Sequence, residues 1–480
     1  MTLTGSDVIS TQSRAIHTRL PQELISSIFT LFHEEGGPQS HNLLLLVCRE
    51  WQRICYSTPA LWREVGVSVG PWRRQRTIST AQAGMGSPLA EILNWAKARL
   101  LRSGGLPCSL RIRAYPSEFD YLSGDTPFFR DLITSVSPRL SKLVMSTYAA
   151  EVEHLNALLP DGFPELNELA LDLIAMREID AITFDNAGFS RCQKLRVVEI
   201  EFHEDNTRVL SFNPITFLPW DQLSTLCYKD REVTLADFTK VFSLCTRLET
   251  CSLRLCFYQE VTPLPDVPPT VLPTLRTLSL TFSGFHIASF LQPFSMPALT
   301  ELDLSGERPF EDESFSLPLL ELHRRHPFPL RSLSLAFLTL EMDDFLGFLS
   351  RLECLEEFSV DGCNCLDKPL VQRLTVEPGV PNPFLPRLMR LDIQEYCSDS
   401  DEAVSTNEDI IQMVKSRVSH QASAAGVARI KSVLIADEIT LEADENLYEE
   451  FHAIAEEGVN LSLRGFRFRQ LDASEDTETG

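Results

Sequence analysis

One apolar phrase, Leu-x-x-Leu-x-Leu with other apolar residues allowed, recurs along most of this chain. It begins at Leu140, Leu166, Leu195, Leu223, Leu248, Leu275, Leu299, Leu330, Leu355 and Leu388, at intervals from 24 residues (Leu275 to Leu299) to 33 (Leu355 to Leu388). On an extended strand the fourth and sixth positions share one face, and the residue between them points the other way. A unit this short cannot bury its apolar face alone, so successive units must stack side by side as a parallel sheet. Several gaps carry helical patterns, such as Ala236–Cys245 and Asp343–Leu352, which return the chain to the start of the next strand.

The period resembles that of leucine-rich repeats, somewhat stretched. Such repeats place Asn or Cys two residues after the strand core. Here only Cys256 and Cys363 fit, while Ile174, His203, Arg231, Ser283, Glu307, Leu338 and Tyr396 hold the other places. The resemblance implies an α/β fold: an irregular leucine-rich-repeat solenoid over residues 105–396, a horseshoe with a curved parallel sheet. In the units from Leu166 onward the outward places read Glu168, Asp172, Glu199, Glu201, Glu301, Asp303, Glu357, Asp361 and Asp392, against the cations Lys229, Arg254 and Arg390. A wall of carboxylates steers a basic segment toward it, so Glu199, Glu201, Glu301 and Asp303 are the candidate substrate-binding residues. The competing reading is that an acidic chain has acidic residues everywhere.

Ahead of the repeats, Leu20-Pro21 is followed by Glu23, and Pro21 suits the first turn of a helix. Leu24, Ile25, Ile28, Phe29, Leu31 and Phe32 then cover more than half of that helix with apolar surface, more than so short a segment can hide. A loop His33–Asn42 follows, then Val47-Cys48, Trp51, Ile54, Ser57-Thr58-Pro59 and Leu61-Trp62. At these residues the sequence resembles the F-box, with an inter-helix loop a few residues longer than in many members. Together with Leu218-Pro219-Trp220-Asp221-Gln222-Leu223, the ending resembles the F-box proteins of mushroom-forming fungi. In that family the box docks on a Skp-family adaptor, which bridges to a cullin. The resemblance makes Leu20, Pro21, Ile25, Ile28, Phe29, Val47, Trp51 and Leu61 the candidate adaptor anchors; some of them, Trp51 above all, could instead hold the box together.

Composition sets the outer bounds. The net charge of −24 argues against general nucleic-acid binding, which needs a clustered positive surface, and permits a basic protein partner. No run of eighteen apolar residues and no basic–apolar leader is visible, so neither membrane insertion nor secretion is expected. Twelve cysteines without regular spacing then point to free thiols in the cytoplasm or nucleus. The expected organisation is a disordered N-terminus (1–17), F-box (18–66), linker with a helix (67–104), repeats (105–396), acidic flexible insertion (397–409), C-terminal cap (410–470) and disordered tail (471–480). Within the linker, Ser87 and Pro88 open a helix whose buried face is Leu89, Ile92, Leu93, Ala96 and Leu100, and Gly104-Gly105 stops it.

No phosphate-cradling Gly-rich loop and no nucleophile elbow occurs. His323 with His326, and Cys363 with Cys365, lack the paired spacing of a zinc site, so neither metal nor cofactor is expected. The combination resembles the substrate receptors of Skp–cullin–F-box ubiquitin ligases: no enzyme, but a protein that positions one reactant. The alternative is a repeat scaffold with no ligase role.

Overall fold

The computed structural model describes residues 20–37, 40–69, 88–114, 129–148, 152, 162–175, 188–204, 214–230, 235–256, 270–283, 290–306, 315–363, 368–377, 383–394, 407–419, 426–436 and 445–464. The expected disordered ends, the capping Ser87 and positions 397–406 of the acidic insertion lie outside them. The chain divides into two compact units, Met1–Leu195 with His203–Pro219, and Arg196–Phe202 with Trp220–Gly480.

In the first unit three helices, α1 (Gln22–Gly36), α2 (His41–Val47) and α3 (Arg49–Tyr56), lead through a 3-10 turn (Pro59–Trp62) into β1 (Glu64–Val69). Helix α4 (Pro88–Arg102) follows, then β2 (Cys108–Ala114), a short helix (Arg130–Val136), β3 (Leu140–Tyr148) and β4 (Glu168–Ala175). These strands pair in parallel in chain order. Two expectations need correction. The first inter-helix loop is shorter than His33–Asn42, because α1 runs on to Gly36 and buries His33, whose Nδ1 lies 3.1 Å from Ser40 Oγ. Pro21 is not inside the helix but caps it, its carbonyl accepting from the N–H groups of Leu24 and Ile25. Helix α4 buries Ala96 and Leu100 as its spacing predicts, and Gly104, at φ +61°, lies just beyond its end in a conformation L side chains rarely adopt.

The second unit carries β5 (Val197–Glu204, its last two residues assigned to the first unit), β6 (Thr225–Asp230), β7 (Thr250–Cys256), β9 (Thr277–Ser283), β11 (Glu301–Gly306), β12 (Ser332–Ala336), β13 (Glu357–Asp361), β14 (Arg390–Gln394), β15 (Ser432–Ala436) and β16 (Asn460–Arg464), paired in that order and all parallel. Two-residue strands β8 (Thr270–Val271) and β10 (Phe294–Ser295) form a separate pair. Helices Leu235–Leu244, Ser316–Arg325, Met342–Leu349, Lys368–Leu374, Asn407–Val418 and Glu445–Glu456 fill connections between strands.

The leucine phrase dictates this arrangement residue by residue. Every phrase-opening leucine is buried, as are the fourth- and sixth-position pairs such as Leu226/Tyr228, Leu278/Leu280 and Leu333/Leu335. Just before the strand a tight turn recurs: Leu223, Leu248, Leu275, Leu299, Leu355 and Leu388 each donate their N–H three residues back, to Trp220, Cys245, Leu272, Met296, Leu352 and Leu385. The next residue donates to the equivalent carbonyl of the preceding unit, Glu249 to Ser224, Arg276 to Glu249, Thr300 to Arg276 and Arg331 to Thr300, at 2.7–2.8 Å. The ladder is unbroken although those intervals differ, because extra residues are placed in the connections rather than in the strands. That is why a period varying from 24 to 33 residues still builds a parallel sheet.

Two buried polar side chains, Cys363 and Arg417, bond backbone groups directly. After β13, Cys363 Sγ accepts from the Leu338 N–H at 3.3 Å and donates to the Leu335 carbonyl at 3.6 Å, so it bonds backbone of the preceding unit; burial pushes its thiol up to about 12. Arg417, buried in helix Asn407–Val418, donates to the carbonyls of Leu374, Leu385 and Phe384, and burial pulls its guanidinium down to about 10. His323 packs edge-on against Phe328 at 4.7 Å.

Candidate functional site

The three N-terminal helices share one small core of Ile25, Phe29, Leu44, Ile54, Cys55, Leu61 and Trp62. Its closing residues explain the Ser-Thr-Pro-Ala-Leu-Trp ending. Thr58 Oγ1 donates to the Ile54 carbonyl at 2.7 Å and contacts Ser26 Oγ at 2.9 Å, tying the end of α3 to α1. Gln22 Nε2 donates to Ser57 Oγ at 3.0 Å, and Trp62 Nε1 to the Cys55 carbonyl at 2.8 Å. At the start of α3 the Trp51 N–H reaches Cys48 Sγ at 3.5 Å.

Helix α1 therefore carries two apolar stripes with different fates. Ile25, Phe29 and His33 face inward. Leu24, Ile28 and Leu31, spaced four and three apart, form a second stripe about 100° or more around the helix and remain 51–59% exposed. Leu20 just ahead of that helix, Phe32 on it, and Leu43, Leu46 and Val47 on α2 are also exposed. Burying a large apolar side chain completely is worth about 1.5–3 kcal/mol, so each half-exposed member of the stripe leaves roughly 1 kcal/mol unclaimed.

The eight sequence-derived anchor candidates separate along this line. Leu20, Pro21, Ile28 and Val47 are exposed. Ile25, Phe29 and Leu61 are at most 4% exposed and belong to the interior of the helical segment, where no partner reaches them. Trp51 is half-buried with its ring 4.8 Å from that of Phe29. Leu24, Leu31, Phe32, Leu43 and Leu46 were not among the eight. The i, i+4, i+7 spacing of Leu24, Ile28 and Leu31 was the signal that marks them as a separate face.

On the strand face, Glu199 and Glu301 are exposed, as is Asp303, whereas Glu201 is half-buried. Lys229 Nζ donates to Glu201 at 3.1 Å, and that hydrogen bond raises the lysine pKa. Thr277 donates to Glu301 at 3.0 Å and Ser279 to Asp303 at 2.9 Å, each from the neighbouring strand. The two carboxylate pairs lie four strand spacings apart, from β5 through β6, β7 and β9 to β11, or about 19 Å at ~4.8 Å per strand. That exceeds the ~8 Å screening length at physiological salt, so they act as two separate patches rather than one wall. Farther along, burial and then the neighbouring Asp392 raise the Asp361 carboxyl pKa.

Among the described residues, no group of three or more His, Cys, Asp or Glu is placed to hold a metal ion, and no helix is long and apolar enough to cross a membrane. Residues 17–68 match the family model described as F-box-like. The three helices, the 3-10 turn and β1 up to Ser68 thus form an F-box-like domain, followed by parallel strands with interspersed helices. No curated protein matches the chain.

Proposed function

We propose that this protein is the substrate-receptor subunit of a Skp–cullin–F-box ubiquitin ligase. Its F-box-like domain docks a Skp-family adaptor, which carries the cullin, and its repeats, read as an irregular leucine-rich-repeat solenoid, capture a protein substrate. The chain supplies proximity and no covalent chemistry. The observation that carries this reading is the exposed Leu24–Ile28–Leu31 stripe within the segment that matches the F-box-like model. Helix-borne apolar stripes of this kind are laid into a partner's groove, with a few anchors supplying most of the affinity. The anchors are Leu20, Pro21, Ile28 and Val47 with Leu24 and Leu31; Ile25, Phe29, Trp51 and Leu61 hold the helices that present them. Substrate meets the strand face at Glu199 with Glu201, and at Glu301 with Asp303, and a basic segment suits both. The working compartment is the cytoplasm or nucleus.

Proximity labelling in cells with wild type and an Ile28→Ala/Leu31→Ala variant, with and without cullin inhibition, tests the ligase role. Proteins labelled by both forms that accumulate on inhibition are the expected substrates. A stable adaptor complex with no labelled protein accumulating would make the chain a scaffold instead.

A further inference from the structure

Strand β1 is hydrogen-bonded to β2 on one side and pairs with no other strand. Among the described residues no backbone hydrogen bond reaches Glu64–Ser68 from the other side. Open edges are commonly blunted by proline, a bulge or an inward-pointing charge, because unpaired N–H and C=O groups template another strand. None of these protects β1, which reads Glu-Val-Gly-Val-Ser-Val and keeps a regular register with β2 over all six residues. A cavity of about 530 Å³ follows the strand, lined by Glu64 to Ser68 and by Gly36 and Asn42 from the α1–α2 corner.

Alternation gives the two faces of this edge different chemistry. Val65 and Val67 are buried on the side where α4 packs, and Trp95 of α4, 49% exposed, lines the cavity. Glu64, Gly66 and Ser68 lie exposed on the opposite face, where Arg111 stands beside Gly66 and Arg113 beside Ser68 in the β1–β2 register. Both arginines are exposed, line the cavity and make no ion pair among the described residues. On that face only a glycine and a serine therefore stand between them and the open edge. A Cβ at Gly66 would meet no atom within 4 Å, so the chain's own packing does not require glycine there. A strand glycine of this kind marks a place where another backbone approaches closely. An added strand would lie two strand spacings from β2, about 10 Å at ~4.8 Å per strand, so that an arginine and a carboxylate side chain can meet over Gly66 or Ser68.

We propose that the open edge of β1 takes up an extended segment of a partner protein as an added strand, its alternate acidic residues facing Arg111 and Arg113 and the apolar residues between them covering Trp95. Backbone pairing supplies the affinity and the alternating side chains the selectivity. This site is separate from the adaptor stripe and from the strand-face carboxylates, and does not rest on the ligase reading. Full-length protein is titrated with the fluorescein-labelled peptide Thr-Glu-Val-Glu-Val-Thr, read by polarisation, and with Thr-Lys-Val-Lys-Val-Thr. The glutamate peptide should bind saturably and the lysine peptide at least about fivefold more weakly; R111E/R113E should reverse that order. Two further glutamate peptides, N-methylated on the glutamates or on the valines, test the added strand in the wild-type protein. Alternate N–H groups point toward β1, so one methylation pattern should abolish binding and the other leave it. Absence of saturable binding up to about 1 mM, an unreversed order in R111E/R113E, or equal effects of the two methylation patterns overturns the proposal. So does light scattering that reads a dimer split by R111E/R113E, which would give the edge to a second copy. The Ile28→Ala/Leu31→Ala protein should bind the peptide as wild type does, so failure here and failure of the ligase reading are distinguishable.

Discussion

Replacing Ile28 and Leu31 by alanine separates docking from folding on a single helix. Both side chains are more than half exposed, at 51% and 59%, so truncation removes little from the protein's own core. Full burial of such a side chain is worth about 1.5–3 kcal/mol, and a partner covering the exposed half recovers roughly 1 kcal/mol per residue. The double variant should therefore bind a Skp-family adaptor about 2 kcal/mol less tightly, roughly thirtyfold, with its urea midpoint close to wild type. Phe29→Ala, one residue from Ile28 in sequence but only 1% exposed, should do the reverse. It leaves a cavity and should cost the first unit about 3–5 kcal/mol of stability. Calorimetric titration with purified adaptor, paired with urea unfolding followed by tryptophan fluorescence, reads both quantities. Unchanged adaptor affinity in the Ile28→Ala/Leu31→Ala protein would refute the reasoning, as would a loss of stability equal to that of Phe29→Ala.

Three further outcomes follow from the second unit. Cys363→Ala removes the acceptor of the buried Leu338 N–H and should cost about 1–3 kcal/mol in urea unfolding, whereas Cys363→Ser keeps an oxygen there and should lose less. Burial lowers the His323 pKa below its ordinary 6.5, so the unfolded chain takes up that proton first as pH falls; the stability from keeping the ring neutral is complete above about 6.5 and is lost below it, and His323→Phe should show a smaller drop in urea midpoint between pH 7 and pH 5. Burial and Asp392 raise the Asp361 pKa, which disfavours its charged form in the fold, so Asp361→Asn should be more stable than wild type at pH 7, with the difference shrinking as acid protonates the carboxyl.

The repeat was legible because it is a local code. An apolar residue at the first, fourth and sixth places specifies both the strand and the face it buries, and connections of different length leave that code untouched. The two stripes of α1 were harder to separate. Ile25 and Ile28 are the same residue type on one helix, and only the packing of α3 and the turn at Leu61-Trp62 decides which is inside. That decision is made by residues about thirty positions away, so sequence spacing could mark two faces without saying which one stays exposed. The packing of Arg99 near Trp62 and its contact with His41, 58 residues earlier in the chain, likewise depend on tertiary structure. The same holds for Glu201 and Asp303, whose partners Lys229 and Ser279 come from neighbouring strands.

The central claim, that the F-box-like domain recruits a ligase core, is tested most directly by size-exclusion chromatography of the purified chain with a Skp-family adaptor and a cullin, using light scattering to read mass. At concentrations of about 1 μM, where an interface worth some −8 kcal/mol or more forms, the account predicts one peak containing all three proteins in equal numbers. It also predicts loss of that peak when residues 17–68 are removed. Elution of the full-length chain on its own, with the adaptor and cullin in a separate peak, would contradict it.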